Sequence, residues 1–192
     1  MSTSARPRSA STSAVLLVGA LLAAAGCTGA DEPDGAASTS QTGAAPSPSV
    51  ETSQAAARRQ AEAAYTGYLQ AFAVASQQAD PDNQDLARYA ADPLLSLPRH
   101  NLRALQNKGA VQLGAQRATV LGATVDLDSA QPSVTLQSCL DYSSITLVYR
   151  TNQSPVPNSA PQSSRVSAVV TVWRYQNGQW LVNDTKQGSG SC

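Results

Sequence analysis

The apolar residues of this 192-residue chain change their period once, near Gly109, and that change limits what the chain can fold into. Upstream, Ala61, Tyr65, Tyr68, Leu69, Phe72 and Ala75 or Ser76 recur at i, i+3, i+4 spacing, while Gln60, Glu62, Gln70 and Gln77 fall between them. This spacing lines one face of an α-helix. A long amphipathic helix is therefore expected from about Gln54 to the turn cluster Asp80, Pro81, Asp82, Asn83. A short helix should follow over about Asn83–Ala91, burying Leu86 and Tyr89, until Pro93 interrupts it. A third, opened by Pro98 and closed by Gly109, should bury Leu102 and Leu105.

Beyond Gly109 the period falls to two, the repeat of a strand with one buried face. Val111 and Leu113 alternate with polar neighbours, and Ala118 to Leu127 is a β-rich run that Gly122 bends or bulges. Val134, Leu136 and Leu140 share one face, so Thr135, Gln137 and Cys139 take the other. Ile145 to Tyr149 is a further short strand, followed by a loop rich in Pro, Asn and Ser. Asn177-Gly178, set between the β-rich runs Arg165–Gln176 and Gln179–Lys186, is a strong hairpin signal. Helices first and antiparallel strands afterwards define an α+β fold, in which a curved sheet packs on the long N-terminal helix and the short ones.

The terminal hairpin VTVWRYQNGQWLVND, with Trp soon after the glycine turn, is similar to the last paired strands of the nuclear transport factor 2-like, or cystatin-like, superfamily. With the order of elements, the resemblance covers about Gln54 to Gln187 and implies a cone-shaped domain. The polyketide cyclase-like and ketosteroid isomerase-like enzymes of that superfamily imply an apolar pocket with an Asp or His as acid or base. The chain offers two such groups. His100, the single histidine, stands beside Pro98 and Arg99, where an exposed or capping role accounts for it. Asp141 is the candidate base if it lies at the cone mouth, and a strand-end or turn residue otherwise. No catalytic residue is assigned beyond that candidate. The aromatic residues that could line a pocket are Tyr65, Tyr68, Phe72, Tyr142, Trp173 and Trp180, and core packing is the competing explanation for them.

The N terminus carries a different signal. Arg6 and Arg8 precede AVLLVGALLAAAGC, a basic region, an apolar run and small residues in the order of a secretory signal. The run is shorter than the ~20 residues a membrane-spanning helix needs. Cys27, directly after Ala24, Ala25 and Gly26, resembles the lipobox of bacterial lipoproteins. That resemblance implies removal of residues 1–26, a diacylglyceryl group on Cys27, and anchoring on the extracytoplasmic face of the cell membrane. Residues 27–53 are Ala, Ser, Thr, Gly and Pro with a few acids, too polar to bury a core, and read as a disordered tether before the 54–192 domain.

With Cys27 set aside, Cys139 and Cys192 are an even pair in an oxidising compartment, where a disulfide is expected; two free thiols are the other reading. Thirteen Lys and Arg balance thirteen Asp and Glu without a basic cluster, so no nucleic-acid partner is expected. No metal or other cofactor is implied: Asp80, Asp82 and Asp85 begin a calcium-loop pattern, but Ala91 stands where its bidentate acid belongs. The expected function is a membrane-anchored, non-catalytic binding module of the cell envelope that takes a partner protein or a small apolar ligand. The alternative is a small enzyme using Asp141. Val169, Thr171 and Trp173 would offer a homodimer surface if Val170 and Val172 face the helix.

Overall fold

Helix α1 (Ser53–Gln78) is the spine of the fold. The structure, a computed structural model, describes residues 51–159, 164–188 and 190–192. Residues 1–50, which include the expected signal segment, Cys27 and most of the expected tether, lie outside the described residues. The Thr52 hydroxyl accepts a hydrogen bond from the Ala55 amide at 3.2 Å, occupying one of the amides left open in the first helical turn. The helix therefore starts one residue ahead of Gln54. Its inner face is mostly small, with Ala57, Ala61, Ala64, Ala71 and Ala75 buried, so the helix lies close to what it packs on.

Helix α2 (Leu86–Tyr89) is a single turn, shorter than the Asn83–Ala91 expected. Leu86 is fully buried, but Tyr89 is not: it is 36% exposed. Its ring lies across the backbone of α1 at Gly67, where an added Cβ would collide with the Tyr89 ring. Tyr89 thus covers α1 from outside. Helix α3 (Ser96–Lys108) starts two residues before Pro98, which the first turn accepts because amides there have no partner within the helix. Gly109 closes α3 with φ 62°, a conformation that favours glycine. Leu102 is fully buried on the inner face of α3.

The strands form two antiparallel groups. β1 (Ala110–Leu113) pairs with β4 (Thr146–Tyr149) as a separate ribbon. The main sheet has the order β2-β3-β5-β6, comprising β2 (Arg117–Asp126), β3 (Ser133–Asp141), β5 (Arg165–Arg174) and β6 (Trp180–Gln187). Val134, Leu136, Val170, Val172 and Val182 are fully buried on its inner face. Each such side chain contributes roughly 1.5–3 kcal/mol. Together these elements make an α+β fold with a long N-terminal helix, short helices and an antiparallel sheet, the order of elements expected from the sequence.

Two bulges decide which side chains face inward. In β2 the register slips between Val120 and Gly122, leaving Leu121 unpaired and 64% exposed, at the site flagged by Gly122. Ala118 and Val120 face the core before the slip, and Ala123 and Val125 after it. In β6 the slip falls at Asn183, between the pairs Val172–Val182 and Thr171–Asp184. An extra residue reverses the parity of a strand. Trp180 and Val182 therefore pack inward before the bulge, and Thr185, opposite Val170, does so after it. Asn183 is itself buried, with its amide donating to Asp92 O at 2.9 Å and Tyr175 Oη at 3.2 Å.

The last hairpin turns through three residues, Gln176, Asn177 and Gly178, and not through Asn-Gly alone. Tyr175 N donates to Gln179 O and Gly178 N donates to Tyr175 O, each at 2.8 Å, and Gly178 takes φ 83°. Cys139 and Cys192 are joined in a disulfide with Cα atoms 5.8 Å apart. The bridge fastens Cys192 to the outer face of β3.

Candidate functional site

The four aromatic and leucine positions that share one stripe of α1 do not all meet the sheet. Tyr65, Tyr68, Leu69 and Phe72 line a cavity of about 580 Å³. That volume lies within the ~300–1,000 Å³ usual for small-molecule sites. Leu94, Leu97, Pro98, Asn101, Ala104 and Leu105, from the segment that builds α3, close one side. The β1–β4 ribbon supplies Gln112 and Leu147, and the end of β3 supplies Leu140 with Tyr142 just beyond. Thr185 and Gln187 reach it from β6 because of the Asn183 bulge.

Most of the described lining is hydrocarbon, and the polar groups among the described lining residues are all uncharged. Tyr65 is buried, and its hydroxyl lies 3.2 Å from Ser138 Oγ on the inner face of β3. Burial pushes the Tyr65 phenol up to about 12, against the partial offset of the Ser138 hydrogen bond. Tyr68 is raised as well, first by burial and then by its proximity to Tyr65 and Tyr142. Its ring packs on Phe72 with centroids 6.4 Å apart. Burial also raises Tyr142, whose hydroxyl accepts from Gln187 Nε2 at 2.7 Å. All three phenols are neutral at physiological pH.

Of the aromatic residues singled out from sequence, Tyr65, Tyr68, Phe72 and Tyr142 come together here. Trp173 and Trp180 do not. Trp173 has the parity opposite to the buried Val170 and Val172, which places it on the outer face with Val169 and Thr171. Trp180 faces inward, but at the far end of β6 from Gln187, about 20 Å away along a strand rising ~3.3 Å per residue. It is core.

Asp141 is also elsewhere, which corrects its reading as a base in the cone. It shares the parity of Cys139 on β3 and pairs with Arg117 and Arg165 on the neighbouring strands, away from the cavity. Its carboxylate accepts from the Ser143 amide at 2.8 Å. Hydrogen bonds from Ser143, then the charges of Arg165 and Arg117, hold this carboxyl below its ordinary range. A general base in an apolar pocket needs the opposite displacement, towards neutrality. Asp141→Asn should change ligand affinity less than about twofold, since the carboxylate is outside the lining; isothermal titration of both proteins checks this. His100 is exposed on α3 and does not line the cavity. Among the described residues, no group of three His, Cys, Asp or Glu is placed to hold a metal ion.

Sequence reasoning missed Ser138, Gln112, Asn101, Thr185 and Gln187. Ser138 was legible, because it falls in the alternation of Val134, Leu136 and Leu140. Thr185 and Gln187 depend on a bulge that no local residue announces.

No protein-family model matches the chain. No curated protein matches it either. Among solved structures, the intermembrane-space region of the chloroplast protein ARC6 is 17% identical, covering 69% of this chain and 96% of its own, with a TM-score of 0.42. A ketosteroid isomerase-like protein from Erwinia carotovora atroseptica is 14% identical over 69% of this chain and 96% of its own, with a TM-score of 0.39. The Kfla4162 protein from Kribbella flavida is 17% identical over 69% and 89%, with a TM-score of 0.40.

Proposed function

We propose that this protein is a non-catalytic binding module whose cavity takes a small, mainly apolar ligand, and that it is held at the outer face of the cell membrane by a lipid on Cys27. The observation that carries the first part is the cavity lining. Its apolar walls surround three neutral phenols, two buried and that of Tyr142 half-buried, and no carboxylate, imidazole, amine, guanidinium or thiol is among the described lining residues. Such a surface can bury hydrocarbon and orient a few polar atoms. The phenols, raised by burial, are poor bases at neutral pH.

The anchoring rests on the signal-like run and its cysteine. No helix among the described residues is long and apolar enough to cross a membrane. A tether of the composition found before residue 53 would let the domain stand ~25–30 Å from the surface. Mass spectrometry of the mature N terminus should find Cys27 carrying diacylglycerol; an intact, unmodified Cys27 in the exported protein would reject the anchor.

Binding is tested with Nile red, an uncharged dye whose emission rises in apolar surroundings. Ala104 is exposed on α3 and lines the cavity, so Ala104→Trp should obstruct it without disturbing the core. A loss of at least about tenfold in dye affinity, with an unchanged melting temperature, is the expected result for a blocked apolar site. Equal dye binding by both proteins would remove the cavity as the site.

A further inference from the structure

We infer that two copies of this chain pair through the open edge of β2, antiparallel and about a two-fold axis near Leu121 and Gly122, so that two four-stranded sheets become one. β2 ends the sheet, and its only strand partner among the described residues is β3. No backbone hydrogen bond among the described residues leaves its other edge. The opposite end of the sheet is different: β6 is covered by the segment before α3, where Ala91 N donates to Val182 O at 2.9 Å. An open edge is a row of unpaired amides and carbonyls that soluble proteins protect with lysine, proline or a short strand. β2 has ten residues, no lysine or proline, and charge only at its two ends, Arg117 and Asp126.

The bulge makes this edge complementary to itself. Antiparallel pairing about that axis sets Arg117 opposite Asp126 of the second copy, and Asp126 opposite its Arg117, the reciprocal contact of a two-fold interface. Within the sheet Arg117 pairs with Asp141 and Asp126 with Ser133, so both charges lie on the outer face. Thr119 meets Thr124 on that same face, while Ala118 meets Val125 and Val120 meets Ala123 on the inner face. Without the extra residue at Leu121, Arg117 and Asp126 would point to opposite faces, and so would the members of every other pair.

The side chains along the edge fit a second copy. Ala118, Val120, Ala123 and Val125 pack on the core yet are only partly buried, and the inner face of a second β2 would cover them. Leu121, 64% exposed, stands opposite Gly122 of the second copy, which has no side chain to compete for the space. One oxygen of Asp126 accepts from the Asp128 and Ser129 amides at 3.2 and 3.1 Å, and the other can receive the guanidinium. The outer-face residues Val169, Thr171 and Trp173 lie on β5, with β3 between them and this edge, and take no part.

The test is sedimentation equilibrium of the exported protein in density-matched detergent, where a concentration-dependent dimer is expected. Arg117→Glu places like charges opposite each other twice and should raise the dimer dissociation constant at least about tenfold. Leu121→Lys, a charge at the centre of the edge, should act in the same direction and to a similar extent. Both residues are exposed, so neither change should alter the melting temperature. Asp126→Asn keeps the oxygen that accepts the turn amides and removes the charge, so it should weaken the dimer by only a few fold, roughly the value of exposed ion pairs. Val169→Lys should leave the dimer unchanged. A protein that stays monomeric at every concentration would overturn the inference, and so would a dimer that Arg117→Glu and Leu121→Lys leave intact. A dimer weakened by Val169→Lys and not by Arg117→Glu would overturn it in favour of contact between the outer faces.

Discussion

Replacing Cys139 and Cys192 together with serine will lower the stability of the protein by about 4 kcal/mol on the chain-entropy account of cross-links. The bridge spans a sequence separation of 53, so its absence frees a long loop in the unfolded chain. In the folded protein the same bridge ends a docked tail. Gly188 N donates to Ser167 O at 2.8 Å and Ser167 N donates to Gly190 O at 3.2 Å, which extends the β5–β6 pairing past Gln187. Without the covalent link, these few hydrogen bonds alone must hold Gly188 and Gly190 against β5. Fraying there would begin beside Thr185 and Gln187, the β6 residues that line the cavity. The melting temperature should fall by about 10–15 °C, with a parallel loss of Nile red affinity. Urea unfolding of the native and doubly substituted proteins measures the first effect. Superimposable curves would mean that the tail contributes nothing beyond its own residues.

The parts of this molecule that were legible in its sequence are those whose signal is local. A helix of the length of α1 repeats its apolar stripe often enough to be read, and Gly109 and Gly178 mark a helix end and a turn through backbone conformations that other residues avoid. The exclusion of Asp141 from the cavity was available too: with Val134, Leu136 and Leu140 inward, an odd-numbered neighbour on β3 must point out. What could not be read depends on pairing between distant segments. The ribbon of β1 and β4 forms across an intervening hairpin, so no local pattern distinguishes it from the main sheet. The bulge at Asn183 changes the meaning of every residue after it. Simple alternation from Trp180 and Val182 would have sent Asp184 and Lys186 into the cavity and Thr185 out. The sheet instead inserts Asn183, whose buried side chain is held by Asp92 and Tyr175, and the uncharged residues turn inward.

That neutrality has a second measurable consequence, a fall in stability in alkali that is set by buried phenols. The Tyr65 hydroxyl titrates near 10 in the unfolded chain and at about 12 in the folded one. Below pH 10 both states hold the proton and the native state keeps its full advantage. Above it, the unfolded chain has lost a proton that the folded chain still binds, so stability declines until the folded pKa is passed. At ~1.4 kcal/mol per pH unit, the displacement of Tyr65 amounts to about 3 kcal/mol, and Tyr68, also raised by burial, acts in the same direction. Ligand affinity should be flat between pH 6 and 9, because no described lining group titrates there. Tyr65→Phe separates this effect from packing. It removes the hydroxyl and leaves Ser138 Oγ, buried on β3, without its partner, at a cost of about 1–2 kcal/mol near neutral pH. It also removes one titrating group, so its stability should decline less steeply above pH 10, and the gap from the native protein should narrow or reverse by pH 12. Urea midpoints measured for both proteins across that range decide the matter. Parallel pH profiles would mean that Tyr65 gives up its proton as readily in the folded state as in the unfolded, and that water reaches this wall of the cavity.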